Sequence, residues 1–208
     1  MDAKSQVVYL VDDDLAVREG VSELLASHGL AVITFVSATD YMRHARDDTA
    51  ACLVLDLQLP DVNGLDLQSR LRNEHEIPII FISGRGDIPS TVRAMKAGAI
   101  EFLTKPLDSP ALLDAIRAAL LRDVERRREL VELTKLNDRF ALLTPREREV
   151  LPLVASGMLN KQAAATLGIS EVTLQLHRGQ IMKKMAADSF ADLVRMASRL
   201  TGHQSRTP

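Results

Sequence analysis

Residues 7–14 read VVYLVDDD, an apolar run that ends directly in three acids. A run of β-branched and aliphatic residues is typical of a strand that is buried on both faces. Two further apolar runs have the same form, because 52–56 ends in an acid and 101–104 is followed by a lysine. In an open parallel sheet the carboxyl ends of the strands share one edge, where ligands bind. The side chains expected to converge at that edge are Asp12, Asp13, Asp56 and Lys105.

These four side chains predict a particular chemistry. Carboxylate oxygens are the ligands that a hard divalent cation prefers, and an ammonium group balances the charge of phosphoryl oxygens. The cluster therefore predicts a phosphorylation site with a divalent cation. An acid at a strand end can also simply cap the next helix, and this alternative fits Asp14 best, since the helical pattern begins at Leu15.

Short apolar runs alternate with segments of helical period along the first part of the chain. Helix-length segments such as 15–28 and 65–72 separate the runs. Because βαβ crossovers are right-handed and cover both faces of a sheet, we expect an α/β fold with a doubly wound, five-stranded parallel sheet. The predicted strands are 7–11, 31–35, 52–56, 79–83 and 101–104.

The composition restricts the class of protein. A length of 208 residues fits two small domains better than one. The single cysteine, Cys52, lies inside an apolar run, which favours a reducing compartment. Because no apolar run approaches the roughly 20 residues that cross a bilayer, we expect a cytoplasmic protein without a membrane partner.

Charge is unevenly distributed along the chain. Residues 1–121 carry 11 Lys and Arg against 18 Asp and Glu, net −7; residues 122–139 carry 6 against 5, net +1; residues 140–208 carry 9 against 5, net +4. The predicted division is a phosphoacceptor domain at 1–121, a helical linker at 122–139 and a separate, anion-handling domain at 140–208. A net charge of +4 is only a modest attraction toward nucleic acid.

A long helix is predicted at the junction. Ser109 is a candidate N-cap followed by proline in the first turn, and 111–136 contains neither glycine nor proline. One continuous helix is the preferred interpretation; two helices with a disordered joint are the alternative. Its apolar stripe is also compatible with a dimer seam.

The last part of the chain has helical patterns alone. A capping box begins at Thr144, and further helices are predicted at 160–167, 171–185 and 189–200. Gly168 lies in a three-residue turn between the first two of these. Two helices joined in this way form a helix-turn-helix unit, whose second helix enters the DNA major groove. A generic helical hairpin is the alternative.

Several motifs resemble the receiver domain of two-component response regulators. They are VDDD at 11–14, LDLQLPDVNG at 55–64 and KP at 105–106. The segments GDIP at 86–89 and AGAIEF at 97–102 are most similar to the FixJ subgroup.

A second set of motifs resembles the effector domain of the NarL/FixJ group, whose helix-turn-helix is of the LuxR type. It consists of LTPREREVL at 143–151, NKQAA at 160–164, HR at 177–178 and KM at 184–185. Together the two sets cover nearly the whole chain in the family's order. The resemblance implies a transcription regulator that is not a turnover enzyme and dephosphorylates itself only slowly.

The resemblance assigns roles at the acidic edge. Asp56 would accept a phosphoryl group from a phosphohistidine on a sensor histidine kinase. Asp13, Asp56 and the main-chain carbonyl of Gln58 would bind Mg²⁺, and Asp12 would orient a metal-bound water. Lys105 would contact carboxylate or phosphoryl oxygen.

The resemblance also implies a switch and further partners. The Ser83 hydroxyl would move toward the phosphoryl group, and Phe102 would rotate in response. Hydrogen bonding of Ser83 to local backbone and a plain core position for Phe102 are the alternatives. Phosphorylation would promote a homodimer that binds paired DNA half-sites, with RNA polymerase as a further partner.

The family's pattern places DNA contacts around the helix at 171–185. Gln175 stands where Lys is frequent, and Gly179 replaces a larger side chain, so fewer charged groups reach the bases. For Gly179, we expect close approach of a DNA backbone or of a neighbouring helix. Solvated charge is the alternative for Arg178 and Lys184. Base-facing candidates are Thr173, Gln175, Leu176 and Gly179, and phosphate-facing candidates are Lys161, His177, Arg178, Lys183 and Lys184.

Two other classes of protein compete with this interpretation. Residues 12–14 contain the D-x-D spacing of haloacid-dehalogenase-like phosphatases, but Ala16 stands where such enzymes have Thr or Val. The chain also leaves little room for their later motifs. The second rival is a signalling adaptor whose helical tail binds protein; DNA retention that weakens steeply with salt would exclude it.

Overall fold

The first half of the chain forms a five-stranded, wholly parallel sheet. The structure, a computed structural model, describes residues 6–46, 48–74, 77–84 and 87–204. The order of the strands is β2-β1-β3-β4-β5, so the predicted doubly wound fold is confirmed. The strands are β1 Val7–Val11, β2 Ala31–Phe35, β3 Ala51–Asp56, β4 Ile79–Ser83 and β5 Glu101–Thr104.

Helices cover both faces of this sheet. Helices α1 and α5 pack on one face of the sheet and share a core cluster with its strands, and α2, α3 and α4 do so on the other face. The helices are α1 Leu15–Ser27, α2 Ala38–Arg43, α3 Gly64–Glu74, α4 Ile88–Lys96 and α5 Ser109–Ala141.

Burial of the strands explains their sequences. Every residue of β1, β3 and β4 is buried, whereas the edge strands β2 and β5 are partly exposed. Central strands lie under helices on both faces and therefore read as continuous apolar runs. The edge strands include polar residues, Thr34 in β2 and Glu101 and Thr104 in β5, because part of each strand faces solvent.

Local capping decides where helices begin. The Asp14 carboxylate accepts a hydrogen bond from the Ala16 amide at 2.8 Å, as the capping alternative predicted. Capping by Ser109 was wrong, because the Asp108 carboxylate accepts from the Ala111 amide at 3.0 Å. The preferred continuous helix is confirmed in α5, which extends to Ala141 and so beyond the predicted end at 136.

The second half of the chain is helical among its described residues. The chain divides into two compact units, and the division falls between Arg127 and Arg128. The three-part division at 121 and 139 stays a prediction. Further helices are α6 Pro145–Ala155, α7 Asn160–Leu167, α8 Glu171–Met185 and α9 Phe190–Gln204. Of the helices described, none combines the length and the apolar character that crossing a membrane requires.

Helix ends in this unit follow the sequence closely. The Thr144 capping box is present, and Gly168 ends α7 with a left-handed φ of 65°. The Ser170 hydroxyl accepts from the Thr173 amide at 3.1 Å and caps α8. Helices α7 and α8 have the bounds predicted for the helix-turn-helix pair.

Candidate functional site

An acidic pocket lies at the carboxyl edge of the sheet. Asp12 follows β1, Asp56 ends β3, and Lys105 follows β5. The Lys105 ammonium lies 2.6 Å from Asp12 Oδ2 and 2.7 Å from Asp56 Oδ2. Both carboxyl residues are buried, Asp12 fully and Asp56 to 5% exposure. The Lys105 ammonium therefore bridges two carboxylates that would otherwise repel each other.

The pocket also has the donor set of a divalent-cation site. Oxygen atoms of Asp12, Asp13 and Asp56 lie within 4.8 Å of one another. Asp13 is exposed, so the cluster is open on that side. Magnesium takes oxygen ligands and keeps several waters, and these three carboxylates suit it because two are preorganised by burial and one is accessible.

Main-chain amides orient the two buried acids. Asp12 Oδ1 accepts from the Asp14 amide at 2.9 Å, and Asp56 Oδ1 accepts from the Gln58 amide at 3.0 Å. Each carboxylate thus has one oxygen held by its own loop and the other paired with Lys105. These bonds limit the rotation of both acids, so the pocket is ordered before any ligand binds.

Burial and pairing shift the protonation of the pocket. Burial raises the pKa of Asp12 above its ordinary value, and the hydrogen bonds from Lys105 and the Asp14 amide offset only part of that rise. Burial lowers the pKa of Lys105, but its hydrogen bonds with Asp12 and Asp56 outweigh burial, so its pKa is raised. Lys105 is therefore cationic at neutral pH.

The loop that follows Asp56 is closed by backbone contacts. Gln58 pairs with Asn63 in an isolated antiparallel bridge, and the Gly64 amide donates to the Leu57 carbonyl at 2.9 Å. A Cβ at position 64 would lie 2.6 Å from the Asp56 main-chain oxygen. Only glycine allows this approach, and it keeps α3 packed against the end of β3.

The two predicted switch residues lie on neighbouring strands. Ser83, at the end of β4, is fully buried, and its main-chain carbonyl accepts from the Lys105 amide at 2.8 Å. Phe102 in β5 is half-buried and stacks on Phe81 with ring centroids 6.1 Å apart. The switching roles of Ser83 and Phe102 stay predictions.

The second unit carries the predicted DNA-facing residues on α7 and α8. They divide into two groups by exposure. Exposed are Lys161, Gln175, Leu176, Gly179 and Lys183; half-buried are Thr173, His177, Arg178 and Lys184. The sequence interpretation missed Val172, which is 68% exposed and lies one turn before Leu176, itself 67% exposed. The two side chains form an exposed apolar strip on α8. Their spacing of four residues places them on the same face of a helix, so the sequence could have indicated this strip.

Two of the half-buried cations have partners inside the unit. The Arg178 guanidinium donates to the Asn160 side-chain oxygen and lies 4.9 Å from the centre of the Phe190 ring. Lys184 forms an ion pair of 2.7 Å with Glu147, whose side chain is only 5% exposed. The alternative of simple solvated charge was therefore wrong for both cations. Their contacts with DNA stay predictions.

The position of Gly179 corrects another expectation. A Cβ at residue 179 would meet no described atom within 4 Å beyond its own helix backbone. Close approach of a neighbouring helix is therefore not the reason for this glycine. Approach of a DNA backbone stays a prediction.

These observations define a class: a receiver-type α/β unit with an acidic pocket at the carboxyl edge of its sheet, joined to a unit with a helix-turn-helix. A model of the response regulator receiver domain matches residues 8–117, and a model of bacterial regulatory proteins of the luxR family matches residues 141–197.

Known proteins are similar to this protein along nearly the whole length of its chain. Nodulation protein W of Bradyrhizobium diazoefficiens is 48% identical over 93% of this chain and 86% of its own. The transcriptional regulatory protein FixJ of Azorhizobium caulinodans is 41% identical over 93% and 92%. The solved structure of response regulator StyR is similar with a TM-score of 0.81 and 47% identity, over 94% of this chain and 99% of that one.

The chain therefore belongs to the two-component response regulators that combine a receiver domain with a LuxR-type DNA-binding domain. Its relatives include FixJ-type regulators, as the sequence motifs indicated. Membership of this family implies regulation of transcription. It also removes the haloacid-dehalogenase and adaptor alternatives.

Proposed function

We propose that Asp56 accepts a phosphoryl group from a phosphohistidine on a sensor histidine kinase. A carboxylate oxygen of Asp56 attacks phosphorus, the P–N bond breaks, and the histidine nitrogen keeps the bonding electrons. The observation that carries this proposal is the bridge from Lys105 to Asp12 and Asp56, with Asp13 open beside it. One Asp56 oxygen is already held by the Gln58 amide, so the carboxylate is oriented before attack.

Asp13, Asp56 and the Gln58 carbonyl would hold Mg²⁺, with Asp12 acting through water. The bound cation would neutralise the charge that accumulates between the carboxylates and the phosphoryl oxygens. Lys105 supplies the second positive charge, and its raised pKa keeps it protonated in this role. Slow self-dephosphorylation would end the signal.

Phosphorylation would then act through Ser83 and Phe102. A phosphoryl group adds about −1.5 to −2 charge and three acceptor oxygens. The Ser83 hydroxyl would turn toward it, and Phe102 would rotate from its half-buried site beside Phe81. The resulting change of surface would favour a homodimer, which presents two α8 helices to paired half-sites.

Exposure on α7 and α8 supports several of the proposed DNA contacts. Leu176 would touch thymine methyl groups, and Gln175 would bond adenine, with Thr173 and Gly179 on the same face. Lys161 and Lys183 are exposed and suited to phosphates. The other proposed phosphate contacts, His177, Arg178 and Lys184, would have to act from half-buried positions. A regulator that contacts DNA and RNA polymerase would act in the cytoplasm.

Phosphorylation with acetyl phosphate and Mg²⁺ tests the central step. Wild type should gain one phosphoryl group, mapped to Asp56 by mass spectrometry, and Asp56→Asn should gain none. Labelling of Asp56→Asn to the wild-type extent would overturn the proposal. Sedimentation of both proteins after the same treatment tests dimerisation, which only wild type should show.

Selection from random duplexes tests the DNA step. Phosphorylated wild type should enrich a defined sequence with two half-sites, whereas Asp56→Asn should enrich it weakly or not at all. Equal enrichment by both proteins would separate DNA binding from phosphorylation and contradict the proposed coupling.

A further inference from the structure

The loop between β3 and α3 is joined at its tip to a different helix. Asp61 lies at this tip, between the bridged residues Gln58 and Asn63. Its Oδ2 atom accepts from the Thr39 amide at 2.8 Å and from the Thr39 hydroxyl at 2.7 Å, and its Oδ1 atom accepts from the Ala38 amide at 3.3 Å. Both carboxylate oxygens are therefore bound to the first turn of α2.

Helix α2 has a cap of its own. The Ser37 hydroxyl accepts from the Asp40 amide at 3.1 Å and donates to the Asp40 carboxylate at 2.7 Å. The Asp61 carboxylate adds three further bonds that arrive from another loop. Hydrogen bonds to an ionised acceptor are about twice as strong as neutral ones, so this contact fastens the loop tip firmly.

Asp61 is ionised under ordinary conditions. Its slight burial raises its pKa, but hydrogen bonds from the Thr39 hydroxyl and amide and from the Ala38 amide outweigh this, so the pKa lies below its ordinary value. The contact with α2 is therefore made by a carboxylate at neutral pH.

The same loop carries a proposed magnesium ligand. Gln58 begins the bridged part of the loop, and its amide is bound to Asp56. Leu59 and Val62 are only partly buried where they pack against the sheet. Apolar packing therefore leaves part of the loop exposed, and the Asp61 bonds are the polar contacts that join its tip to another element.

We propose that Asp61 is a positioning residue for the magnesium site, which holds the Gln58 carbonyl in place by tying the loop tip to α2. The inference rests on the proposed function of the acidic pocket. Magnesium demands near-ideal octahedral geometry, so a ligand on a loose loop binds it less well. Groups that orient metal ligands from outside the coordination sphere typically change metal affinity by 10–100-fold.

A titration of the full, unphosphorylated chain with MgCl₂ tests this role. Asp61→Ala should raise the magnesium dissociation constant about tenfold. Ser37→Ala is the matched control, because it removes the cap of the same helix without touching the loop. It should lower the urea midpoint as Asp61→Ala does, yet leave the dissociation constant within about twofold of wild type.

The partner residue gives a second variant that perturbs the fold less. Thr39→Val removes one donor to Asp61 and keeps both amides, so it should raise the dissociation constant by less than Asp61→Ala. The double variant should have the same magnesium dissociation constant as Asp61→Ala alone, because the Thr39 hydroxyl acts only through its bond to Asp61.

The outcomes separate the two proposals. If wild type takes up no magnesium, the proposed function of the pocket fails. If wild type binds magnesium but both Asp61→Ala and Thr39→Val match it, or Ser37→Ala weakens binding equally, the role of Asp61 is overturned and the magnesium site stands.

Discussion

The buried carboxylate of Asp123 accepts a hydrogen bond from the main-chain amide of Ala51 at 3.0 Å. Ala51 begins β3, the strand whose other end is Asp56. The Asp123 side chain is 1% exposed and also binds Arg126 and Arg127, each at 2.7 Å. Helix α5 is thus fastened to the edge of the sheet opposite the acidic pocket by a buried, fully paired acid.

Loss of this acid should destabilise the receiver unit. Asp123→Ala leaves the Ala51 amide and the Arg126 guanidinium without their acceptor, whereas Arg127 keeps its ion pair with Asp48 at 2.6 Å. Breaking a buried pair costs roughly 3–5 kcal/mol. Because Arg126 and Arg127 are about 30% exposed and can turn to water, we expect about 3 kcal/mol. Urea unfolding followed by circular dichroism measures the loss, since the chain has no tryptophan.

Asp114→Ala is the control for that measurement. Asp114 pairs with Arg117 on the same helix, but both side chains are more than 60% exposed. Exposed pairs of this kind contribute little, so the change should stay within about 0.5 kcal/mol. Equal losses in the two variants would show that burial of Asp123 is unimportant.

The contribution of Asp123 should depend on pH. Burial alone raises its pKa, but bonds from the Ala51 amide, Arg127 and Arg126 outweigh burial and lower the pKa. With a folded-state pKa below the unfolded value of about 3.9, the carboxylate stabilises the fold above that pH and loses this effect as pH falls through the lowered pKa. The free-energy difference between wild type and Asp123→Asn should therefore be largest near neutrality and shrink below about pH 4. A difference independent of pH would contradict the assignment.

Gly64 should tolerate no side chain. In Gly64→Ala the new Cβ would meet the Asp56 main-chain oxygen at 2.6 Å and the Phe81 ring at 3.0 Å, so backbone must move. We expect a loss of about 1–3 kcal/mol in urea unfolding. Gly20→Ala is the matched control in the interior of α1, where a Cβ meets nothing within 4 Å. It should raise stability by about 0.5–1 kcal/mol. A loss in Gly20→Ala would mean that the close contacts of the new Cβ are not needed to explain the loss in Gly64→Ala.

Lys184 should matter for stability. Lys184→Ala removes the ion-pair partner of Glu147, whose buried carboxylate keeps a hydrogen bond of 2.8 Å from the Thr144 amide. Because that bond remains, we expect a loss of about 2 kcal/mol in urea unfolding. A loss below about 0.5 kcal/mol would show that Glu147 finds water or another partner.

The neighbouring Lys183 should behave in the opposite way. Lys183 is exposed, so Lys183→Ala should change stability by less than about 0.5 kcal/mol. It should weaken binding to a mixed-sequence duplex and lower the slope of log affinity against log salt by about 0.9, the value for one phosphate contact. An unchanged slope of log affinity against log salt would show that Lys183 does not contact a DNA phosphate.

Much of the fold could be predicted because it depends on local patterns. Strands β1, β2, β4 and β5 have their predicted bounds, and β3 starts one residue early. Helices α7 and α8 also match, since Gly168 and Ser170 mark the turn between them. The cap of α5 was missed because two adjacent polar residues, Asp108 and Ser109, both suit an N-cap, and sequence does not rank them.

The acidic pocket was predictable for a topological reason. Parallel strands bring their carboxyl ends to one edge whatever their distance along the chain, so Asp12, Asp56 and Lys105 had to approach each other. The pairing of other charges follows no such rule. Arg178 with Asn160, and Lys184 with Glu147, join residues 18 and 37 positions apart in different helices.

The sequence alone determined which segments form strands and helices and which chemical groups meet at the edge of the sheet, because periodicity and parallel topology are local or general properties. Only the tertiary structure decided which charges are neutralised within the protein, and that Asp61 holds α2 and Asp123 holds β3. The strength of such contacts depends on burial and on distances of a few ångströms between elements remote in sequence, and no repeating pattern of residues encodes those distances.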